Sequence, residues 1–280
     1  MALQDAVLGW DEDSTAEKYA AFTREFPMYG ATSRDLAHRA DLADARLVID
    51  LCGGAGATAR AILQLVPDQA RVISLDSAAA MQRVGSRALH DPRLTWITSP
   101  AERLADHVPT GSSDAVVCNS AIWKTDTAAV FAAVAKVLRP GGRFVFNIGG
   151  GFAGVRHPDE QTAHTGPSLN TLIRQIAARD HGYTPPPSTA EPPKLSLRKV
   201  TEHLALAGLA LLDTEVTAQH STMSEKKAWL SIPVFARPSG AFTHARRMEI
   251  LDAAYALTTP DTPTVTSWLV VEAQRPDGTP

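Results

Sequence analysis

The chain has 280 residues, 44% of them hydrophobic, enough for one large α/β domain with insertions or for two small domains. A formal charge of −3 argues against a broad phosphate-binding surface, and so against a nucleic-acid partner, while leaving room for a local basic patch. With no secretory leader and no apolar run of about 18 residues, the expectation is a soluble, cytoplasmic protein with no membrane partner.

The N-terminal stretches "STAEKYAAFTREF" (14–26) and "TSRDLAHRA" (32–40) read as helices. "RLVIDL" (46–51) is predicted as the first strand and "GATARAILQLV" (56–66) as the helix behind it. "RVISLD" (71–76) is a second strand, followed by a helix from Ala78 to Leu89. "RLTWITS" (93–99) and "DAVVCNSA" (114–121) are the third and fourth strands. The helix "TAAVFAAVAKVL" leads into "RPGGRFVFNIGG", a proline-glycine turn and a fifth strand. Strand alternating with helix implies a parallel sheet covered on both faces.

Two segments interrupt that rhythm. Gly149 to Pro193 holds a glycine cluster and the proline-rich "YTPPPSTAEPPK", expected to run extended over the surface. Gln219 to Pro263 holds two helical patterns, "SEKKAWLSI" and "THARRMEILDAAYAL", which look like an insertion between strands. Between them "LSLRKVTEHLALAGLALLDTEV" gives a helix, a stop at Gly208 and a sixth strand, and "VTSWLVVEAQ" makes a seventh. Cys52 and Cys118 lie in apolar runs and read as buried, reduced thiols rather than a disulfide framework or a metal site.

The most informative corner is "VIDLCGGAGATAR" (48–60), where a run of small residues from Cys52 to Ala59 follows the first strand. Glycine there permits a tight turn, but the carboxyl end of a strand in an open α/β sheet is also where ligands bind. "GAGATA" (54–59) fits the dinucleotide fingerprint, with Asp76 at the spacing of a ribose-binding acid, which taken alone suggests NAD. Asp50 opposes that reading, because its charge disfavours a pyrophosphate and suits an ammonium or sulfonium. The second βαβαβ half of a dinucleotide fold is also absent.

"VIDLCGGAG", "VISLDSAAAM", "SPAERL", "DAVVCNSAIW" and "VLRPGGRFVFNI" resemble successive motifs of the class I S-adenosylmethionine-dependent methyltransferases, and most nearly the group that includes the ubiquinone and menaquinone biosynthesis enzymes. The resemblance covers roughly residues 44–150 and returns faintly at 195–218. It implies a Rossmann-like seven-stranded, mostly parallel sheet with helices on both faces and a helical cap. It also implies S-adenosyl-L-methionine as cofactor. The expected division is a helical lid at 1–42, a cofactor-binding core at 43–150, a cap insertion at 151–194, a core helix and strand at 195–218, a helical cap insertion at 219–263, and a last strand and tail at 264–280.

By the same resemblance, Gly54 and Gly56 let the backbone approach the methionine part of the cofactor, and Asp50 fixes the turn and favours the ammonium. Asp76, with Ser77 beside it, accepts bonds from the ribose hydroxyls. Met81 packs on the adenine face, a task that suits a polarisable thioether. Ala101 and Glu102 lie along the adenine edge, Asn119 and Ser120 beside the methionine and the methyl, and Tyr19 closes over the cofactor. Two positions depart from the family pattern: Cys52 stands for the first glycine of D-x-G-x-G-x-G, and Pro100 for the acid that commonly contacts the adenine amino group. Each assignment has a plainly structural counterpart, Asp76 as a strand-end cap and Met81 as core.

Displacement at sulfonium needs the nucleophile aligned with the departing sulfur, and an un-ionised nucleophile also needs a base. The candidate bases are His157, His164, His181 and His220, with His157 closest to the expected rim after the fifth strand. No "NPPY"-type motif for methylating nucleic-acid bases follows the fourth strand, and the acidic pair of metal-dependent catechol methylation is missing, so no metal is implied. A small molecule remains, held by Tyr29, Trp123 and Phe152, with Phe26, Trp229, Phe235 and Phe242 also available to line an apolar pocket. The expected activity is methyl transfer to an oxygen, nitrogen or carbon of an apolar or aromatic metabolite in specialised biosynthesis. Non-methylating chemistry such as a cyclisation, a NAD-dependent oxidoreductase, and a binding module without turnover stay as alternatives. Exposed aromatic patches of the cap would also allow a homodimer.

Overall fold

β1 (Leu47–Leu51) is buried at every position. Successive strand side chains point to opposite faces, so Leu47, Ile49 and Leu51 enter one core with Leu75, Val116, Phe131, Phe144 and Phe146. Val48 enters the other, with Leu36, Ala37, Ile62, Val117 and Val145. The structure is a computed structural model and describes residues 9–162, 166–184, 193–240 and 242–277.

The other strands are β2 (Arg71–Asp76), β3 (Leu94–Thr98), β4 (Ser113–Cys118), β5 (Leu138–Gly149), β6 (Ala210–Thr222) and β7 (Pro263–Gln274). The sheet order is β3-β2-β1-β4-β5-β7-β6. Pairings from β3 to β5 are parallel, whereas β7 runs antiparallel to both β5 and β6. This is the expected seven-stranded, mostly parallel sheet. The order follows the 3-2-1-4-5-6 of a dinucleotide fold as far as β5 and departs from it beyond, where antiparallel β7 is inserted between β5 and β6.

Helices α1 (Asp13–Glu25), α2 (Pro27–Arg39), α3 (Ala57–Leu63), α4 (Ala79–Ala88) and α5 (Thr127–Val137) flank the sheet. α2 starts five residues before the predicted Thr32, because Pro27 at its first turn has the φ a helix wants and no N–H to leave unpaired. β4 stops at Cys118 instead of running to residue 121, because Ser120 turns the chain at φ 59. Phe131, Phe144 and Phe146 are fully buried with ring centroids 4.6 to 5.4 Å apart. Phe131→Ala there would cost about 3–5 kcal/mol.

Beyond β5 come α6 (Gly150–Ala153), α7 (Pro158–Thr162) and α8 (Leu169–His181), then α9 (Leu197–Leu206) back against the sheet. The β6–β7 pair extends past the expected boundary at residue 218, to Thr222 opposite Pro263, and carries α10 (Met223–Ser231) and α11 (His244–Tyr255) at its tip. The two insertions meet: Leu172, Ile173 and Ile176 of α8 share a core with Ile250, Leu251 and Ala254 of α11. Ser168, Thr222 and Thr243 each accept a backbone N–H in the first turn of α8, α10 and α11. Losing any one of these caps would cost about 1 kcal/mol. Most of the proline-rich connector, residues 185–192, lies outside the described residues. Among the described residues no helix is long and apolar enough to cross a membrane.

Candidate active site

Parallel register sets Asp50 opposite Ser74. The fully buried Asp50 carboxylate accepts from Ser74 Oγ at 3.1 Å and from the Ala59 amide at 3.0 Å, tying β1 to the first turn of α3. Burial pushes this carboxyl up to about 7 despite both bonds. A side chain at Gly53 would collide with Ser74 and Asp50. At Gly56, with φ 85, a Cβ would come 2.5 Å from the Trp96 ring. Those two bare positions are therefore required from inside the protein.

Gly54 is different. Its φ is 54°, the nearest neighbour of an added Cβ is a Tyr19 ring carbon 3.9 Å away, and it lines a cavity. Cys52 holds a left-handed φ of 55°, a conformation that costs a non-glycine residue about 1–2 kcal/mol. Its side chain packs on the core beside Cys118, which together with burial pushes the Cys52 thiol up, and both cysteines are free.

The cavity, of about 560 Å³, begins at this corner. Asp76 ends β2 and receives the Gly54 amide at 2.9 Å on one oxygen and the Ala78 amide at 2.8 Å on the other. Burial raises its pKa, while those amides and the Lys124 ammonium oppose the rise. Lys124 sits 4.0 Å from the Trp10 ring centroid, and burial pulls its ammonium down to about 8. Ala78 and Met81, each 2% exposed, give this end an apolar side. Asn119 donates to Thr32 and Ser33 at 3.0 and 2.9 Å, fastening α2 to the end of β4, and the Ser120 amide donates to Asn147 at 2.6 Å.

At the far end the walls are aromatic. Trp123 and Phe152 stack with centroids 3.7 Å apart and planes 17° from parallel, and Trp229 stacks on Phe235 at 3.9 Å. Trp229 Nε1 donates to the Tyr29 hydroxyl at 3.0 Å, while burial pushes that phenol up to about 12. Tyr19 and Tyr29, 5.1 Å apart, join the two ends.

The structure thus brings Tyr19, Gly54, Asp76, Ser77, Met81, Asn119 and Ser120 to one cavity with Tyr29, Trp123 and Phe152. It does not bring five other expected residues there. Asp50 fixes the turn as expected, but from behind it. Gly56 makes room for Trp96 and caps α3. Ala101 is buried in the main core, and Glu102 accepts the Asp126 amide at 2.9 Å. His157 stands outside the cavity: its own amide donates to Ser267 Oγ at 2.8 Å, and its ring Nδ1 accepts the Asp159 amide at 3.2 Å. His220 pairs with Asp159 at 3.1 Å, and His181 lies 6.1 Å from the Phe242 ring, both outside the cavity. His164 lies outside the described residues. Trp229 and Phe235 line the cavity, whereas Phe242 packs in the cap and Phe26 against α1 and α2.

Sequence reading missed Trp10, Lys124, Lys194, Lys226, Arg237 and Trp268 as lining residues. Lys124 carried a signal, since it follows the expected Trp123, whereas Trp268 reaches the opening because β7 runs antiparallel and sets it opposite Gly149 at the end of β5.

A methyltransferase domain model matches residues 48–142, the segment that contains the glycine corner, Asp76 and the β4 end. Over these residues the chain is similar to methyltransferase domains. Trans-aconitate 2-methyltransferase of Azoarcus sp. (strain BH72) is 32% identical over 134 residues, 48% of this chain and 48% of that protein. The chain therefore matches about half the length of that curated relative. A candidate methyltransferase of Bacillus halodurans C-125 is alike in fold, with TM-score 0.52 and 15% identity over 88% of this chain and 99% of that one. The [4+2]-cyclase SpnF has TM-score 0.54 and 14% identity over 89% and 82%. At such identities the two structures speak to fold alone.

The groups at the glycine corner suit S-adenosylmethionine, the cofactor that the sequence resemblance implies. Each Asp76 oxygen accepts one amide and keeps a lone pair for a hydroxyl. Gly54 leaves backbone bare at the cavity wall, and Met81 with Ala78 offers an apolar surface for a base.

Proposed function

We propose that this chain transfers a methyl group from S-adenosylmethionine to an oxygen, nitrogen or carbon of an apolar or aromatic small metabolite, a step suited to specialised biosynthesis. The supporting observation is that one cavity joins the Gly54–Asp76 corner to the aromatic walls. Bound there, the cofactor supplies an electrophilic methyl carbon on a sulfonium.

In this reading Asp76 and Ser77 would hold the ribose, the Gly53–Gly54 backbone the methionine part, and Tyr19 and Met81 the adenosyl group. Asn119 and Ser120 stand at the end of β4 between the two halves. Tyr29, Trp123 and Phe152 orient the acceptor and exclude water, which leaves positioning as the main catalytic contribution. Among the described residues no histidine lines the cavity, which leaves His157 without support as a base. Residues 1–42, 151–194 and 219–263 would serve as lid and cap around the core.

Incubation with methyl-labelled S-adenosylmethionine and a metabolite extract tests this. Label in an extractable small molecule is the expected result. Conversion of a metabolite without label would replace methyl transfer by non-methylating chemistry in the same cavity.

A further inference from the structure

The aromatic half of the cavity is not electrically neutral. Lys194, Lys226 and Arg237 line it, against one carboxylate there, Glu160. Glu160 is already engaged by the Ser267 hydroxyl. Among the described residues, none of the three cations has a carboxylate within ion-pair distance of 4.0 Å. The whole chain carries −3, so this local excess of positive charge is set against the average.

Two of the cations lie over rings. Lys226 Nζ lies 4.6 Å from the Trp229 centroid, and Lys194 Nζ lies 5.1 Å from Trp123 and 5.9 Å from Phe152. Cation–π contact of this kind offsets only part of the cost of taking an ammonium from water. Arg237 stands exposed at the mouth and donates to Ser239, and Lys226 lies deeper and is half-buried. Burial pulls the Lys226 ammonium down; Glu160 opposes that fall, and the Arg237 guanidinium, more weakly, adds to it, so both charges are felt at Lys226. Three cations against one carboxylate, none of them ion-paired among the described residues, leave a net positive wall in a cavity of about 560 Å³, which gains most from a ligand that brings a further anion.

We propose that the acceptor metabolite is an organic anion, an apolar or aromatic body whose carboxylate is held by Lys226 and Arg237. This rests on the reading of the cavity as cofactor half and acceptor half. The aromatic walls take the body of the molecule, and Arg237 offers its fork to the carboxylate while Lys226 supplies a point charge below it. Lys194, beside the Trp123–Phe152 stack, adds to the field that draws the anion in.

Calorimetry on protein saturated with S-adenosylhomocysteine tests the assignment with three probes of one shape: biphenyl-4-carboxylate, the neutral biphenyl-4-carboxamide and biphenyl-4-phosphonate. The expected result is carboxylate binding about tenfold tighter than the carboxamide. In the K226Q/R237Q double variant this preference falls below about threefold. The double variant keeps its affinity for S-adenosylhomocysteine, which shows that it is folded with an intact cofactor half, and K226R retains the preference. Carboxylate and carboxamide binding equally, or neither binding detectably, overturns the proposal, as does a preference that survives the double variant. Phosphonate bound more tightly than carboxylate overturns the carboxylate in favour of a phosphate-bearing acceptor. Failure of S-adenosylhomocysteine to bind the unaltered protein would instead remove the underlying reading of the cavity.

Discussion

The two ends of the cavity are built by opposite means. At the glycine corner the key groups come from residues 50–81, and backbone geometry holds them: left-handed φ at Cys52, Gly54 and Gly56, and amides of Gly54, Ala59 and Ala78 donating to Asp50 and Asp76. At the aromatic end Tyr29, Trp123, Phe152, Trp229 and Phe235 arrive from separate segments and are held by ring contacts. A corner of that first kind specifies one ligand through the main chain. A chamber of the second kind can change its ligand by exchanging side chains, so cofactor affinity and acceptor affinity should respond to different residues.

The sharpest separation is expected from D76N. Removing the charge while keeping the shape should weaken S-adenosylhomocysteine binding by about 10- to 100-fold, with calorimetry as the measure, because charged hydrogen bonds contribute about 1.5–3 kcal/mol. G56A should act on stability instead. Its side chain meets Trp96 in a backbone conformation that favours glycine, and urea denaturation should show a loss of about 1–3 kcal/mol. F152A should lie on the other side of the comparison. Loss of its stack on Trp123 should raise the acceptor KM about 2- to 10-fold, with S-adenosylhomocysteine affinity unchanged.

Much of the first end was legible in the sequence and little of the second. Motifs such as "VIDLCGGAG" and "VISLD" carry their geometry locally, because strand register and a left-handed turn follow from residues a few positions apart. Even there, bareness had two causes that a sequence merges. Gly54 opens to the cavity, whereas Gly56 yields to Trp96, a contact across 40 residues. The helices of both insertions were visible by periodicity, yet nothing in that periodicity said that α8 and α11 share a core. Lys226 and Arg237 look like any solvated charge until the fold turns α10 toward the sheet. His157 shows the reverse error, since proximity to the end of β5 in sequence did not place its ring at the cavity.

Two smaller effects sharpen the boundary between the ends. Lys124, with an ordinary pKa of 10.5, is pulled down to about 8 by burial. Between those values the unfolded chain holds a proton that the folded one lacks, so this group makes the protein more stable as pH rises through that window. Urea midpoints measured from pH 8 to 9.5 should therefore climb relative to those of K124M. H157A should be the weakest change of all, with turnover and KM within about twofold of the unaltered protein, because its ring faces Asp159 rather than the cavity.

A crystal structure with S-adenosylhomocysteine bears most directly on the division of the cavity. The ribose should lie against the Asp76 carboxylate and the homocysteine along Gly53–Gly54, with open space beside sulfur bounded by Tyr29, Trp123 and Phe152. Density for the nucleoside among the aromatic walls, or at another surface with the glycine corner empty, would contradict it.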